Sequence, residues 1–554
     1  MKFDNFKFTK GKKAVTKDIR PLLVFMVMGL VFILAFLYLA HPAFNIKSAS
    51  FFVYVIIIAG YLFIASYLAY HYLLVDNKTY RNINRVIGGL VAIVLIYMFG
   101  SMLISAPFFN AKEYASRIVV EDTEFDMIEE VDFSKTAVID RASSEVLGDR
   151  VMGQMPELVS QFTVSDEYTQ ISYRDSVYRV TPLEYADMLK YFMNRDEGIP
   201  AYILVNSTTG EAELVKLEDL GLDGMRYVPS GMFNENLMRK LQLSYPTEIF
   251  GSPSFEIDDD GRPWYVCTTY TYKGTETMKK VSGVVLFDPI TGDSIKYDDP
   301  LDAPKWVDRI YPESLVTEEL VDYGSLQDGF INSIFGQRDV YLPSDGYNYL
   351  EKDGDIFIYT GLTSVNSDRA NLGFALVNLR THEAYEIASP GADETSAMRS
   401  AEGHVSDYGY SATFPLLVNV SGNPVYLMSL KDEAGLIKMY AMVDATDYQK
   451  VVSVSIDEGL ETLKAEFISE SDLDMTESEA LKVKDTTVED IRFIVSEGVT
   501  KVYITDSDGL RYKVEVNDTN EDILGFLDVA DRIRVEYLET EIVNVIKDIS
   551  ILVE

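Results

Sequence analysis

The sequence predicts three transmembrane α-helices, then an extracytoplasmic α+β region of antiparallel sheets with single helices, and a small C-terminal β-barrel. Three observations predict this fold class. Three long, uncharged apolar runs lie within the first 110 residues. Short β-rich runs, separated by turn residues and a few helical stretches, fill most of the remaining chain. Five short strand-like runs lie close together in the last 65 residues.

The apolar runs occupy residues 21–46, 48–75 and 86–110. Each is longer than the roughly 20 residues with which a helix crosses a bilayer core. The first run is too long for a cleavable signal peptide, and two further runs follow it. No Asp, Glu, Lys or Arg lies inside any run, so the sequence disfavours an ion or proton transporter. His71 lies near the end of the second run and is interpreted as an interfacial anchor.

Basic residues at the ends of these runs predict the orientation. Residues 1–20 carry seven lysines and arginines, and the second loop, residues 76–85, carries three. Because basic residues of short loops stay on the cytoplasmic side, both segments are predicted to be cytoplasmic. Three crossings then place residues 111–554 outside. The predicted location is the bacterial cell membrane, with a cytoplasmic N-terminus.

The net charge, like the hydrophobicity, differs between the first 110 residues and the rest of the chain. Residues 1–110 have a net charge of +8, whereas the remaining 444 residues have a net charge of −46. Such an acidic region repels nucleic acid and anionic lipid. The single cysteine, Cys267, allows no intrachain disulfide, which fits a bacterial or phage setting better than a eukaryotic secretory pathway. The predicted partners are the lipid bilayer and proteins or further copies of the chain, and not nucleic acid.

A hairpin motif recurs in the extracytoplasmic region. The motif occurs at residues 203–215, 284–297 and 374–387. Each copy has an apolar run, followed by Asn or Asp, two variable residues, a Thr, a residue that is either Gly or His, and an acidic residue. A second β-run comes next. Residues 441–454 are a weaker copy. Asn or Asp closes the first strand through its side chain, and Gly takes the positive φ of a tight turn. The spacing predicts repeated modules.

Three helices are predicted between the hairpins. The first begins with Thr181 as N-cap, Pro182 at the first helical position and Glu184 completing a capping box; its apolar stripe runs through Leu183, Met188, Leu189 and Phe192 to an end at Gly198. The others occupy residues 313–336 and about 393–405.

The division into domains follows from these patterns. Residues 1–20 form the tail, 21–110 the membrane anchor and 111–468 the repeat-containing region. An acidic linker is predicted at 469–489. Residues 490–554 form a barrel of the OB or SH3 type, with Asp508-Gly509 as a hairpin turn. Because this barrel is acidic and extracytoplasmic, a packing or assembly role is favoured over oligonucleotide binding.

A search for catalytic patterns favours a protein that is not an enzyme. The sequence has no phosphate-binding loop, dinucleotide-binding glycine motif, nucleophile elbow or His-Glu-x-x-His motif. His382 lies in a repeated turn. His404, Ser406 and Asp407 suggest a catalytic triad, but triad members meet in space rather than as sequence neighbours, so a capped helix end is the favoured interpretation.

Two further features of the sequence resemble binding or reactive sites. Residues 258–260, all aspartate, resemble a calcium loop, but Cys267 stands where the bidentate Glu would lie, so a hairpin tip is favoured and calcium binding stays open as an alternative. Cys267 follows an apolar–aromatic run and is interpreted as a buried hydrophobe. The sequence therefore predicts no catalytic, cofactor-binding or metal-binding residues, and no cofactor.

Several segments resemble a known group of proteins: NRDEGIPAYILVNSTTGEAELV, KWVDRIYPESL, DGFINSIFGQR, YTGLTSVNSDRANLGFALVNLRT and YSATFPLLVNVSGNPVYLMSLKDEAGLIKMYAMV. They look like those of multi-span bacterial and phage membrane proteins loosely labelled colicin-V-production-like. The resemblance covers most of residues 110–455 and implies no activity. The helix-and-hairpin module at residues 181–215 is similar in shape to PepSY domains, which inhibit peptidases or sense the envelope state; inhibition is not carried over.

These observations predict a structural or interaction function. The repeat-built, tyrosine-rich extracytoplasmic region is expected to act as a non-enzymatic scaffold, as an envelope or phage-associated assembly component. The alternative is an extracytoplasmic sensor or PepSY-like regulator that signals through the membrane helices. A third class, a hydrolase that uses carboxylates or a bound metal, predicts a cleft with a cluster of perturbed acids.

Overall fold

A computed structural model describes residues 20–72, 77–365, 370–471, 481–496, 499–517, 519–540 and 542–552. Contacts within the chain divide it into two units. Unit one consists of Met1–Ala106, Met238–Ile249 and Tyr270–Lys280, and unit two of Pro107–Leu237, Phe250–Thr269 and Val281–Glu554. The unit that holds the apolar N-terminal region therefore also includes two segments from much later in the chain.

Unit one contains three long helices: α1 Arg20–Ala40, α2 Ala49–Tyr72 and α3 Asn77–Ile104. All three are long and apolar enough to cross a membrane, which confirms the three predicted apolar helices. The predicted loop at residues 76–85 is wrong, because α3 already begins at Asn77. Lys78, Arg81 and Arg85 occupy its first turns, since the segment has no Pro or Gly to break the helix.

Nine further helices lie in the described residues. They are α4 Pro107–Ala115, α5 Arg141–Gly153, α6 Pro156–Val159, α7 Met188–Asn194, α8 Leu237–Ser244, α9 Glu313–Leu326, α10 Glu394–His404, α11 Leu460–Ser471 and α12 Glu521–Gly525.

The first strand, β1 Val120–Thr123, is followed by four groups of five consecutive strands. The first group is β2 Phe162–Val164, β3 Thr169–Tyr173, β4 Ser176–Tyr185, β5 Ala201–Asn206 and β6 Ala212–Lys216. The second is β7 Ile249–Phe250, β8 Ser254–Ile257, β9 Pro263–Tyr272, β10 Lys279–Phe287 and β11 Ser294–Tyr297. The third is β12 Tyr341–Pro343, β13 Asn348–Lys352, β14 Asp355–Ser364, β15 Ala370–Asn378 and β16 Ala384–Ala392. The fourth is β17 Ser411–Ala412, β18 Leu416–Val420, β19 Asn423–Lys431, β20 Ile437–Asp444 and β21 Val451–Ser455.

The four groups form four sheets with the same strand plan. In each sheet the first two strands are short and both pair with the third strand, the third pairs with the fourth, and the fourth pairs with the fifth. Helices α5, α8, α9 and α10 precede the successive sheets. In the third sheet, β1 adds a parallel strand beside β16. The chain after α4 is therefore built from four copies of one antiparallel module, followed by the barrel.

The predicted hairpin motif joins the fourth and fifth strands of every sheet. In the first copy, the Asn206 side chain accepts hydrogen bonds from the amides of Thr208 and Thr209 at 2.8 and 2.9 Å, and Gly210 has a φ of 75°. Asp288, Asn378 and Asp444 accept equivalent pairs of amide hydrogen bonds. All four predicted hairpins, including the weaker fourth copy, are confirmed.

The prediction of a helix that begins at Thr181 is wrong. Thr181, Pro182 and Glu184 lie in strand β4, and helix α7 begins only at Met188. Pro182 fits a strand here because it lies between the part of β4 that pairs with β3 and the part that pairs with β2, where no ladder amide is needed. The N-cap is Asp187, which accepts from two amides of the first turn at 2.7 and 3.0 Å.

The predicted apolar stripe of that helix is also not a buried face. Leu183 is buried in the strand, but Met188, Leu189 and Phe192 are exposed on α7. The buried aromatic residue of the short helix is instead Tyr191.

The two other predicted helices are present. The helix predicted at residues 313–336 ends at Leu326, and residues 332–336 form a separate π-helical turn after Gly329, whose φ is 92°. The third helix is confirmed as α10, with the side chain of Asp393 accepting from the Ser396 amide at 2.7 Å.

The C-terminal strands β22 Lys482–Ser496, β23 Val499–Asp506, β24 Arg511–Glu515, β25 Arg532–Leu538 and β26 Asn544–Ile551 close into a barrel. Their order is β22-β23-β24-β26-β25, and α12 lies between β24 and β25 in the chain. Apolar side chains such as Val502, Ile533 and Ile546 fill the interior. The five-stranded barrel and the Asp508-Gly509 turn are confirmed.

The barrel begins earlier than the sequence predicts. Residues 469–471 of the predicted linker belong to α11, and residues 482–489 belong to β22. The alternation of polar and β-branched residues in KVKDTTVE is a strand pattern. Residues 472–480 of the predicted linker lie outside the described residues.

Candidate functional site

The contacts that hold unit one together form the candidate functional site. They join the ends of α1, α2 and α3 to helix α8 and to the hairpin tip at residues 270–280. The tip connects the two long strands β9 and β10. Its sequence YTYKGTETMKK has a glycine and hydroxyl side chains at the turn, flanked by tyrosines and lysines. We call residues 270–280 the docking tip.

Two serines near the end of α3 contact the docking tip. Ser101 Oγ lies 2.8 Å from Thr275 Oγ1, and the Thr275 amide also donates to Ser101 Oγ at 3.3 Å. Ser105 Oγ lies 2.5 Å from Thr277 Oγ1. The two serines are four positions apart, so both lie on one face of the helix. Paired hydroxyl groups therefore hold the tip against the end of α3.

The glycine of the docking tip permits this close approach. A Cβ on Gly274 would overlap Ser105 Oγ and would come within 2.6 Å of the Ser101 carbonyl oxygen. Only glycine brings a backbone so close to a helix without displacing one of the two.

The docking tip also caps the N-terminus of α2. The Glu276 carboxylate accepts a hydrogen bond from the Ala49 amide at 2.9 Å, and the Glu276 amide donates to the Lys47 carbonyl oxygen at 3.1 Å. Ala49 is the first residue of α2, where amides have no partner within the helix. A carboxylate at this end is also favoured by the helix dipole.

Helix α8 contacts the C-terminal end of α1. Arg239 Nε donates to the Tyr38 carbonyl oxygen in the last turn of α1 at 2.9 Å, and its guanidinium lies 4.7 Å from the centre of the Tyr38 ring. Carbonyl groups at a helix C-terminus have no partner in the helix, and the dipole there favours a cation. Arg239 and Glu276 thus provide charges that match the two helix ends they contact.

The loop between α1 and α2 is fastened to the same segments. The Phe44 amide donates to the Pro246 carbonyl oxygen at 2.7 Å, and Asn45 Nδ2 donates to the Thr247 carbonyl oxygen at 3.0 Å. Lys47 Nζ donates to Thr271 Oγ1 at 3.1 Å. These contacts are helix caps and hydrogen bonds between residues far apart in the chain, and they fasten the backbone segments of unit one to one another.

The residues that the sequence singled out lie elsewhere. His404 is in the last turn of α10, as the capped-helix interpretation expects, and Ser406 and Asp407 follow in a short 3₁₀ turn. His382 has a φ of 66°, and its Nε2 lies 2.7 Å from Glu319 Oε2. Its ring stacks on Tyr311 with a centroid distance of 4.2 Å, so it is packed into unit two.

The acidic turn at residues 258–260 and Cys267 are both explained by their places in the fold. Asp258 accepts from the amides of Asp260 and Arg262 at 3.1 and 2.9 Å, and Gly261 has a φ of 82°, so this segment is the predicted hairpin tip. Cys267 is fully buried in β9, and burial raises the pKa of its thiol. Among the residues that the structure describes, no three His, Cys, Asp or Glu side chains form a potential metal site.

Sequence reasoning did not identify Ser101, Ser105, Arg239, Gly274 or Glu276. The only local signal was the pair of serines four positions apart near the end of the apolar run at residues 86–110. No protein-family model matches the chain, and no curated protein matches it significantly.

Proposed function

We propose that this protein is a non-enzymatic membrane-anchored scaffold, whose three helices display a large acidic extracytoplasmic region to protein partners. It would be an assembly component of a bacterial envelope or of a membrane-associated phage structure. The observation that carries the proposal is the docking of the tip on the helix ends. The contacts of Glu276, Thr275 and Thr277 fasten the docking tip to the ends of the helices, which is the kind of attachment that a scaffold requires.

The proposed orientation has a cytoplasmic N-terminus and places residues 111–554 outside. The C-terminal ends of α1 and α3 and the N-terminal end of α2 all contact segments that follow α3 in the chain. This arrangement is expected if the three helices cross the membrane one after another and the chain that follows α3 stays on one side of it. Residues 1–20 carry seven lysines and arginines and residues 76–85 carry three, whereas the loop between the first two apolar runs carries only Lys47; this distribution agrees with the positive-inside rule.

We further propose that the barrel is of the OB type. The third and fifth barrel strands, β24 and β26, pair in parallel, β22 pairs with both β23 and β25, and a helix lies between the third and fourth strands. This plan fits an OB barrel better than an SH3 barrel. The acidity of the region favours a role in packing or assembly.

The lone cysteine makes the orientation directly testable. In a Cys267→Ser background, a single cysteine is introduced as Glu433→Cys, at an exposed turn, or as Lys12→Cys, in the basic tail. A membrane-impermeant maleimide added to intact cells, with the outer membrane permeabilised where one exists, is expected to label the first variant and not the second. The reverse pattern contradicts the proposal.

The scaffold function is tested by cross-linking in native membranes, followed by solubilisation in mild detergent. A discrete complex with the same protein partner, or with further copies of the chain, is expected. Recovery of a monomer alone contradicts the scaffold proposal.

A second candidate function is an extracytoplasmic sensor or PepSY-like regulator. It is favoured by the direct capping of two membrane-helix ends by Glu276 and Arg239, because a shift of the docking tip would act on those helices. Deletion of residues 2–17 separates the candidates: a sensor loses its output to the cytoplasm, whereas a scaffold still assembles its complex.

A further inference from the structure

Unit two contains a polar cavity lined by a buried arginine that makes no hydrogen bond or ion pair through its side chain in the described residues. The cavity has a volume of about 390 Å³, within the size range of small-molecule sites. It lies among the start of α5, strands β3, β4 and β13, and the start of α9. Arg179, Arg309, Tyr168 and Tyr349 are among the residues that line it.

Arg179 is the unusual residue of this cavity. Its relative exposure is 4%, yet within the described residues no hydrogen bond or ion pair of its side chain is present, and its Nε is buried without an acceptor. Its guanidinium lies 5.4 Å from the centre of the Tyr349 ring. A buried charge without a partner is costly, so a group that occupies the cavity and pairs with Arg179 would recover that cost.

The other buried charges near the cavity are already paired. Arg309 makes a forked contact with Glu313, with Nε–Oε2 and Nη2–Oε2 distances of 2.9 and 2.7 Å, and the Tyr349 hydroxyl donates to Glu313 Oε1 at 2.9 Å. Asp140 is paired with Lys431 at 2.6 Å.

At the rim the charged groups face solvent. Arg141 contacts Glu145 at 3.0 Å, and Glu167 is exposed, where water solvates its charge. Arg179 is therefore the buried cation of this lining that makes no ion pair in the described residues.

The chemistry of the guanidinium indicates the kind of ligand. A guanidinium is a hydrogen-bond donor only, so it requires an acceptor, and its positive charge favours a negatively charged one. The planar guanidinium matches a carboxylate with two parallel hydrogen bonds, and a single uncompensated charge matches one carboxylate rather than a phosphate dianion.

We propose that this cavity binds the carboxylate of a small organic anion, with Arg179 as the charged partner and the Tyr349 ring as an apolar wall. The site gives an otherwise acidic region a specific place for an anion. The proposal does not depend on membrane orientation or on a scaffold function, since it rests on unit two alone.

The test measures binding to the full-length protein in detergent micelles by calorimetry, with empty micelles as the blank. The probes are benzoate and acetate, each compared with its neutral amide, benzamide and acetamide. Saturable binding of a carboxylate, at least ~10-fold tighter than that of its amide, is expected because hydrogen bonds between two charged groups are stronger than those that the neutral amide can form. No saturable binding of either carboxylate up to about 10 mM, where affinity is negligible, overturns the proposal, and so does equal binding of acid and amide.

The variants are Arg179→Met and the matched control Arg150→Met, which removes the same charge from an exposed position outside the cavity. Arg179→Met is expected to weaken carboxylate binding at least ~10-fold without lowering the Tm of the unliganded protein, because the lost charge had no partner. Arg150→Met is expected to bind normally.

Two results with the variants would overturn the proposal. One is wild-type affinity in Arg179→Met; the other is an equal loss of affinity in Arg150→Met. If Arg179→Met does not fold, Arg179→Lys keeps the charge and removes the planar fork, and unchanged affinity in that variant overturns the proposal as well.

Discussion

The carboxylate of Glu276, at the turn between two long strands, accepts a hydrogen bond from the amide of Ala49, the first residue of α2, at 2.9 Å. The two residues are 227 positions apart in the chain. A side chain of the β-rich region thus accepts a hydrogen bond from a backbone amide at the start of α2. We expect this contact to control how firmly the docking tip is held.

Glu276→Ala is expected to leave the Ala49 amide without its acceptor. Loss of a capping carboxylate costs about 0.5–1 kcal/mol at an exposed helix end, so hydrogen exchange at the start of α2 should accelerate about two- to fivefold. Glu433→Ala, which removes an exposed turn carboxylate elsewhere, is the control and should leave that exchange rate unchanged. Equal exchange at Ala49 in wild type and Glu276→Ala would show that the cap is not formed.

Gly274→Val tests the close approach of the docking tip to α3. The new side chain would overlap Ser105 Oγ, so the tip should move away and lose its hydroxyl contacts with Ser101 and Ser105. The expected result is faster limited trypsin cleavage at Lys273, Lys279 and Lys280. Gly403→Ala, at a position with open space around the added Cβ, should not change cleavage at these lysines, and an unchanged rate in Gly274→Val would contradict the docking.

The pair Glu256 and Asp308 predicts a pH-dependent stability. Both side chains are buried, and Glu256 accepts from Ser254 Oγ at 3.0 Å and from the Asp308 amide at 2.8 Å. Burial raises the pKa of Glu256 from 4.5 to about 7, and burial and Glu256 raise the pKa of Asp308. The folded protein therefore holds protons that the unfolded chain releases, and stability falls as pH rises through the window from about 4.5 to 7.

Glu256→Gln should remove much of this dependence, since the amide cannot ionise. The free energy of unfolding of the variant, relative to wild type, is expected to increase by on the order of 2 kcal/mol between pH 5 and pH 8. Chemical denaturation at the two pH values measures it. Glu433→Gln, at an exposed turn, serves as the control, and a parallel pH dependence in Glu256→Gln and wild type would refute the assignment.

Lys513 links the barrel to the segment before it. This buried residue of β24 contacts Glu466 of α11, and its Nζ lies 2.5 Å from Glu458 Oε2. Lys513→Met leaves two carboxylates without their cation, so it should lower stability by about 3–5 kcal/mol at pH 8. The loss should be smaller at pH 5, because without Lys513 burial raises both carboxyl pKa values and protonation then stabilises the fold.

The control for this prediction is Lys450→Met, an exposed lysine at a turn, which should change stability by less than about 0.5 kcal/mol. Adding Glu466→Gln to Lys513→Met should recover part of the stability. A double variant no more stable than Lys513→Met would show that the buried charge is not the cause.

Local patterns predicted much of the fold because their physics is local. Apolar runs of sufficient length form helices wherever they lie, and Asn206, Asp288, Asn378 and Asp444 close their turns with amides two and three positions away. The helix predicted to begin at Thr181 and Pro182 was wrong because the capping pattern considers only neighbouring residues. This segment is a strand because it pairs with three other strands.

The sequence by itself determined three apolar helices, the four repeated hairpins, the acidity of the later region and the five-stranded barrel. Only the tertiary structure decided that four sheets share one strand plan, that Glu276 and Arg239 contact the ends of α2 and α1, and that Arg179 lies in a cavity without an ion pair among the described residues. The physical reason is separation along the chain: Arg239 and Tyr38 are 201 positions apart. Contacts between residues so far apart in the chain depend on how whole helices and strands pack together. The local periodicity of a sequence does not predict that packing.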